Sequence, residues 1–159
     1  MKLVKLLSAE QIILDLKSLE HWATIVELVE QLVTACRLSA ELKDEILADL
    51  RLREDQVSTG VGSGVAIPHT FSDHIDEVIA VLGRSKDGIE FQALDNAPVH
   101  LVILFIVPRK DYHLHLQTLA AIAKMITNCD IRRQISEAST PDEILAILDC
   151  KPRPAGLRV

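Results

Sequence analysis

The run from Val99 to Val107 holds a single polar side chain, His100, before Pro108 closes it. Its most continuous part, Leu101 to Val107, is too short to cross a bilayer, which takes about 20 apolar residues. A strand with one wet face would alternate apolar and polar positions, and this one does not. It therefore reads as a buried strand with both faces covered. Candidate covers lie on either side of it in the chain. Leu19, Trp22, Ala23, Val26, Val29, Leu32 and Val33 recur at helical spacing between Ser18 and Arg37, and Ser39 caps a second helix running towards Arg53. Downstream, His113 to Ile126 is helical through Leu116, Leu119, Ile122 and Ala123, and another helix spans Ile131 to Glu137. The last helix opens on Thr140-Pro141-Asp142-Glu143, a capping box with proline at the first helical position.

Shorter extended segments fall between these helices. Ser8 to Gln11 is a capping box opening a short turn, with Ile12 to Leu16 extended after it. Residues 54–64 read as a loop, Val65–Ile67 as a strand, Val78–Arg84 as another, Asp87-Gly88 as a turn and Ile89–Phe91 as a short strand. Helices, then strands, then helices predict a central sheet covered by helices. Residues 1–150 are expected to form one domain, with Lys151 to Val159 a loose tail rich in Pro, Gly and charge.

Charge and cysteines exclude several classes. A net charge of −6 argues against a general nucleic-acid surface, which needs clustered Lys and Arg. The first residues carry Lys2 and Lys5, but Glu10 and Asp15 interrupt before any long apolar stretch, unlike a signal peptide. Cys36, Cys129 and Cys150 are odd in number and far apart, which fits reduced thiols in the cytoplasm better than a disulfide scaffold. No membrane insertion is expected.

The candidate chemistry sits in Ser58-Thr59-Gly60-Val61-Gly62-Ser63-Gly64-Val65-Ala66-Ile67-Pro68-His69. Glycines at alternate positions allow positive φ and close approach, so the backbone donors of Thr59, Gly60, Gly62, Ser63 and Gly64 are candidates for a phosphate cradle. Pro68 biases Ile67 to extended geometry and puts His69 at a strand end, facing the rim. A neutral imidazole keeps a lone pair at physiological pH and accepts a phosphoryl group well. Its reactive tautomer is expected to be fixed by a backbone carbonyl on one ring nitrogen, leaving the other for in-line attack. Arg53, just upstream, offers a planar fork to phosphate oxygens. Asp111 to Gln117 forms a second cluster at a helix start; His113 and His115 are two apart, cannot share a helical face, and so one of them is peripheral. His21, His74 and His100 are read as structural or surface residues. Zinc would suit imidazole and carboxylate, but the spacing of His69, His113, His115, Asp111 and Asp73 follows no ligand motif, so no metal or cofactor is expected.

Arg53-Glu54, Ser58-Thr59-Gly60-Val61-Gly62 and Val65-Ala66-Ile67-Pro68-His69, with His115-Leu116-Gln117-Thr118-Leu119 as a second motif, resemble the fructose/mannitol-type enzyme IIA domains of the bacterial phosphoenolpyruvate:sugar phosphotransferase system, which include the nitrogen-regulatory enzyme IIA. The resemblance covers nearly the whole chain. It implies a mixed five-stranded sheet with helices on both sides, His69 as phosphoryl acceptor from an HPr-type carrier, His115 as supporting histidine and Arg53 as phosphate-facing arginine. The onward partner it implies is either a regulated target protein, in the nitrogen branch, or the cysteine of a transporter B domain. None of the three cysteines here resembles such a B-domain site, and the nitrogen-regulatory branch is the expected one. One departure is Thr70, where the family carries a very small residue; a β-branched side chain there is expected either to narrow access to His69 or to add a hydroxyl.

Overall fold

The computed structural model describes residues 3–56, 59–93 and 95–149. In chain order the strands are β1 (Ile12–Ile13), β2 (Gly60–Gly62), β3 (Val65–Ala66), β4 (His69–Ser72), β5 (Ile79–Ile89) and β6 (Val99–Pro108). The helices are α1 (His21–Thr34) and α2 (Lys43–Gln56) before the main strands, then α3 (Tyr112–Ile126), α4 (Cys129–Glu137) and α5 (Pro141–Asp149) after them. Short 3-10 turns occupy Leu3–Leu6, Ala9–Gln11, Ala40–Leu42 and Arg109–Asp111.

The apolar run is β6, and both its faces are covered. Leu101, Ile103, Phe105 and Val107 pack with Ile122 and Ile126 of α3, Ile131 and Ile135 of α4, and Ile144 and Leu148 of α5. Val102, Leu104 and Ile106 point the other way, onto Ile25, Leu28 and Leu32 of α1 and Ile46 and Leu50 of α2. Both edges of β6 are paired as well, with β5 antiparallel on one side and β3 and β4 parallel on the other. Val65 faces Leu101 and His69 faces Phe105, the same offset, so β3 and β4 are one parallel strand interrupted at Ile67-Pro68. With β1 outside β5 and β2 outside β3, the six segments fill five positions of a mixed sheet. Helices cover both sides, as expected. No described helix is long and apolar enough to cross a membrane.

Several local readings change. The loop placed at 54–64 is shorter at both ends: α2 runs to Gln56, and Gly60–Gly62 pairs antiparallel with β3 through a turn at Ser63 (φ 58) and Gly64 (φ 79). Two consecutive positive φ angles suit the twist of a two-residue hairpin, so the glycines serve a turn here. His69 opens β4 rather than ending a strand Val65–Ile67, because Pro68 interrupts the ladder without diverting it. The extended segment after Gln11 is only Ile12–Ile13 as a strand, although the Leu16 N–H still reaches Arg84 O at 2.8 Å. Asp87-Gly88 does not end a strand: β5 continues to Ile89 through a bulge in which Ser85 to Gly88 stand opposite His100. Glu90 makes only an isolated bridge to Glu20. Ser39 caps as expected, its Oγ accepting from the Glu41 N–H at 3.3 Å. The tail Lys151 to Val159, with Cys150 and Ser58, lies outside the described residues.

The close approach of β2 to the following segment gives a direct test. A Cβ on Gly60 would stand 2.8 Å from Ala93 Cβ and 2.9 Å from Ala93 Cα, and backbone cannot yield as a side-chain tip can. Gly60→Ala is expected to destabilise the fold by about 1–3 kcal/mol, read as a lower urea midpoint with an unchanged slope.

Candidate functional site

His69 is half-buried on β4, and its strand position decides its chemistry. Gly64 O and Pro68 O accept from Leu101 and Phe105 N–H groups of β6. By strand alternation the backbone groups of Ile67 point to the opposite edge. There the Ile67 N–H donates to Thr59 O at 3.0 Å, and Ile67 O lies 2.9 Å from His69 Nδ1. A carbonyl only accepts, so Nδ1 carries the proton and, in the neutral ring, Nε2 carries the lone pair. Among the described residues Nε2 has no hydrogen-bond partner. Phe71, two residues on and therefore on the same face, sets its ring edge-on at 6.5 Å between centroids. Thr70 points into the opposite core and is buried, in register with Ile106. It neither narrows the approach to His69 nor reaches it, contrary to both expectations.

Arg53 is brought to the same strand by the run of α2. Glu45, near its start, lies 3.6 Å from His74 Nε2, beyond the end of β4. Near its end Glu54 bonds Thr59, whose carbonyl holds Ile67. The helix is therefore antiparallel to β3 and β4 and packs against β4. From Glu45 to Arg53 is about 12 Å of helix, and from His74 to His69 about 16 Å of strand. The last turn of α2, with half-buried Arg53, thus comes to the height of β4 near His69, but α2 covers the face of the sheet opposite to that of His69 and Phe71.

Glu54 stands in the Arg53-Glu54 motif, but sequence reading gives it no role. Ile46, Leu50 and Glu54 are the buried residues of α2, spaced i, i+4, i+8, so a carboxylate continues an apolar stripe. Such a group needs partners. His21 Nε2 lies 2.7 Å from Oε2, the Thr59 hydroxyl donates to Oε1, and the Thr59 N–H reaches Oε2 at 3.3 Å. The His21 ring lies against Phe91, with centroids 3.8 Å apart. Burial opposes the charge on Glu54, but the bonds from His21 and Thr59 outweigh it and hold the carboxyl below its ordinary value. His21, read from sequence as structural, is half of a buried pair that pins α1, the end of α2 and the start of β2 together. A carboxylate in the apolar stripe was a visible signal; its partner, 33 residues away, was not.

The remaining nominated residues divide. Thr59 is buried and spends its hydroxyl, N–H and carbonyl inside this network. Gly60 is packed on Ala93. The Ser63 N–H donates to Asp95 Oδ2 at 3.0 Å, the same oxygen stands near Gly62, and Gly64 O is taken by β6. The turn also lies roughly 16 Å along the strand from His69. The geometry therefore does not form an anion cradle for His69 from Gly62, Ser63 and Gly64: a carboxylate already occupies its mouth. His115 stands in the first turn of α3, the helix that follows β6 after the Arg109–Asp111 turn and packs on it. His113 is exposed. Among the described residues no three His, Cys, Asp or Glu side chains converge.

The protein-family model described as "Phosphoenolpyruvate-dependent sugar phosphotransferase system, EIIA 2" matches residues 5–151. The chain belongs to this family. It is a phosphotransferase-system component of the EIIA type, with relatives on both sides of the family. It is 34% identical over 151 residues to the fructose-specific EIIABC component of Bacillus subtilis, which covers 94% of this chain but only 23% of that protein. It is 28% identical over 155 residues to the nitrogen regulatory protein of Bradyrhizobium diazoefficiens, covering 98% of this chain and 99% of that one. The crystal structure of nitrogen regulatory protein IIA-Ntr from Neisseria meningitidis superposes with a TM-score of 0.83 at 28% identity, over 91% of this chain and 97% of that chain. The Escherichia coli mannitol IIA, solved in complex with phosphorylated IIB, shares the fold with a TM-score of 0.74 at 21% identity, over 89% and 96% of the two chains.

The Glu54 network predicts an acid-sensitive hinge between α1, α2 and β2. Its carboxyl is held below the ordinary value of 4.5, so its stabilisation is complete above about pH 4.5 and is lost as pH falls through the lower folded value. Glu54→Gln, which removes the charged acceptor, is expected to cost about 1–3 kcal/mol at pH 7. Urea melts of both proteins from pH 7 to pH 3 should converge at the acid end; parallel curves would refute the assignment.

Proposed function

We propose that this EIIA chain carries a phosphoryl group on Nε2 of His69, taken from the phosphohistidine of an HPr-type carrier protein. The observation that carries this reading is the Nδ1 contact to Ile67 O at 2.9 Å, which leaves the lone pair on the outward nitrogen. In the transfer, Nε2 forms a bond to phosphorus as the donor's P–N bond breaks, and the bonding pair leaves with the donor imidazole. The ring of His69 becomes cationic as this happens, and its Nδ1–H bond to the carbonyl strengthens accordingly. Phosphoryl transfer needs positioning and charge stabilisation more than covalent help. Arg53, reaching round the edge of β4 from α2, is proposed to supply the fork to the phosphoryl oxygens, and His115, near the start of α3, the second donor. Thr59 acts through Glu54, by fixing the end of α2 on which Arg53 stands.

The onward partner is proposed to be a protein regulated by the phosphorylation state, as in the nitrogen branch. The end-to-end match to a nitrogen regulatory protein and the TM-score of 0.83 to a IIA-Ntr support this. The 34% identity to a fructose-specific component supports a second reading, in which the group passes to the cysteine of a B domain.

Incubation with phosphoenolpyruvate, enzyme I and HPr should add one acid-labile phosphoryl group by intact-mass spectrometry. His69→Ala should abolish it, and normal labelling of that variant would overturn the assignment. His115→Ala should accept about 100-fold more slowly. Label passing from the phosphorylated chain to a fructose-type B-domain cysteine would favour transport, and its retention would favour regulation.

A further inference from the structure

A cavity of about 500 Å³ opens at the end of β6 away from His69, between the Ser63-Gly64 turn, the β5 bulge, the start of β6 and α4. Its polar lining includes Arg84, Lys86, Arg132, Arg133 and His100, with Leu101 and Ile135 among its apolar surface. No Asp or Glu lines it, although the chain as a whole has a net charge of −6. Four of its 17 Lys and Arg residues meet here.

These cations are incompletely matched. Arg84 is 5% exposed, and its Nε and Nη1 donate to Leu14 O, Ile135 O and Ala138 O, at 2.9, 2.9 and 2.6 Å. Its Nη2 has no closer acidic partner than Asp15 Oδ1 at 3.8 Å, beyond hydrogen-bond length, and Lys86 Nζ is equally far from the same oxygen. Arg133 Nη2 lies 3.8 Å from Asp130. Arg132 Nη1 ties the turn through Ser63 O at 2.9 Å, and His100 donates Nδ1–H to Ser85 O, leaving Nε2 without a partner among the described residues. The size lies within the range of small-ligand pockets. Three further cations lining the same cavity as one buried guanidinium suit a dianion, and the Leu101 and Ile135 side chains suit a short apolar body attached to it.

We infer that this cavity binds a small organic phosphate, an anionic group on an apolar body, at a site separate from His69. The register separates them: the cavity lies at Leu101 of β6 and His69 at Phe105, about 13 Å further along the strand. The inference therefore does not rest on the proposed role of His69.

Phenyl phosphate is the probe, titrated into the ¹⁵N-labelled full chain at constant ionic strength and followed by amide shifts. The expected result is a saturable response centred on Ser63, Ser85 and Ser136, retained in His69→Ala. A Lys86→Ala/Arg133→Ala double variant, which removes two loosely paired surface cations, should weaken binding about tenfold or more; Arg133→Gln alone serves as a milder second variant and should weaken it in the same direction. Benzyl alcohol, which has the ring without the charge, should give no saturable response. The proposal is overturned if phenyl phosphate gives none at these amides, if the response centres on His69 and Phe71 and vanishes in His69→Ala, if benzyl alcohol binds as well, or if neither charge variant changes the affinity.

Discussion

The register of β6 is the constraint on which the rest of the structure hangs. It is hydrogen-bonded on both edges and packed on both faces, so nothing about its position is free. A one-residue slip would exchange Phe105 and Leu104 between two differently shaped cores. Because β3 and β4 keep one offset against it, the backbone of residues 64–72 inherits that fixity through the proline. The carbonyls that face β6 are used by β6, and the carbonyl of Ile67 is left at the edge, where the imidazole of His69 takes it. The tautomer of the histidine thus follows from the parity of a strand.

The second fixed point is polar. The α1–α2 layer could have been closed by an apolar residue at position 54, following Ile46 and Leu50. A carboxylate there is stable only while His21 and Thr59 satisfy it, and in return those bonds orient the end of a helix against the start of a strand more narrowly than apolar contact does. Apolar packing supplies cohesion across this layer; the Glu54 pair supplies direction.

Much of this was legible in the sequence. The apolar strand and the five helices follow from periodicity, the cap at Ser39 from its residue type, and the family resemblance supplied the five-stranded arrangement. The Gly-rich segment was read as a cradle because glycine permits several backbones, and composition cannot distinguish an open loop from a tight turn. The Asp95 carboxylate that fills the turn's mouth comes from 32 residues away, out of reach of any local pattern. The meaning of Thr70 was likewise hidden, since only the side of the strand on which His69 falls decides whether its neighbour touches the chemistry. The place of Pro68 inside a continuous ladder needed the register of β6, which no local signal carries.

The two faces of the sheet are anchored by ions of different kinds. On the α1–α2 face the anchor is the Glu54 carboxylate, which acid discharges. On the opposite face Arg84, buried, holds the carbonyls at the close of α4, and no carboxylate takes part in those bonds. Acid therefore loosens the molecule from one side. The layer of α1 and α2 gives up its amide protection first, while α4 stays fastened to β5. Unfolding under acid thus has a direction across the sheet, set by which residue type fastens each face.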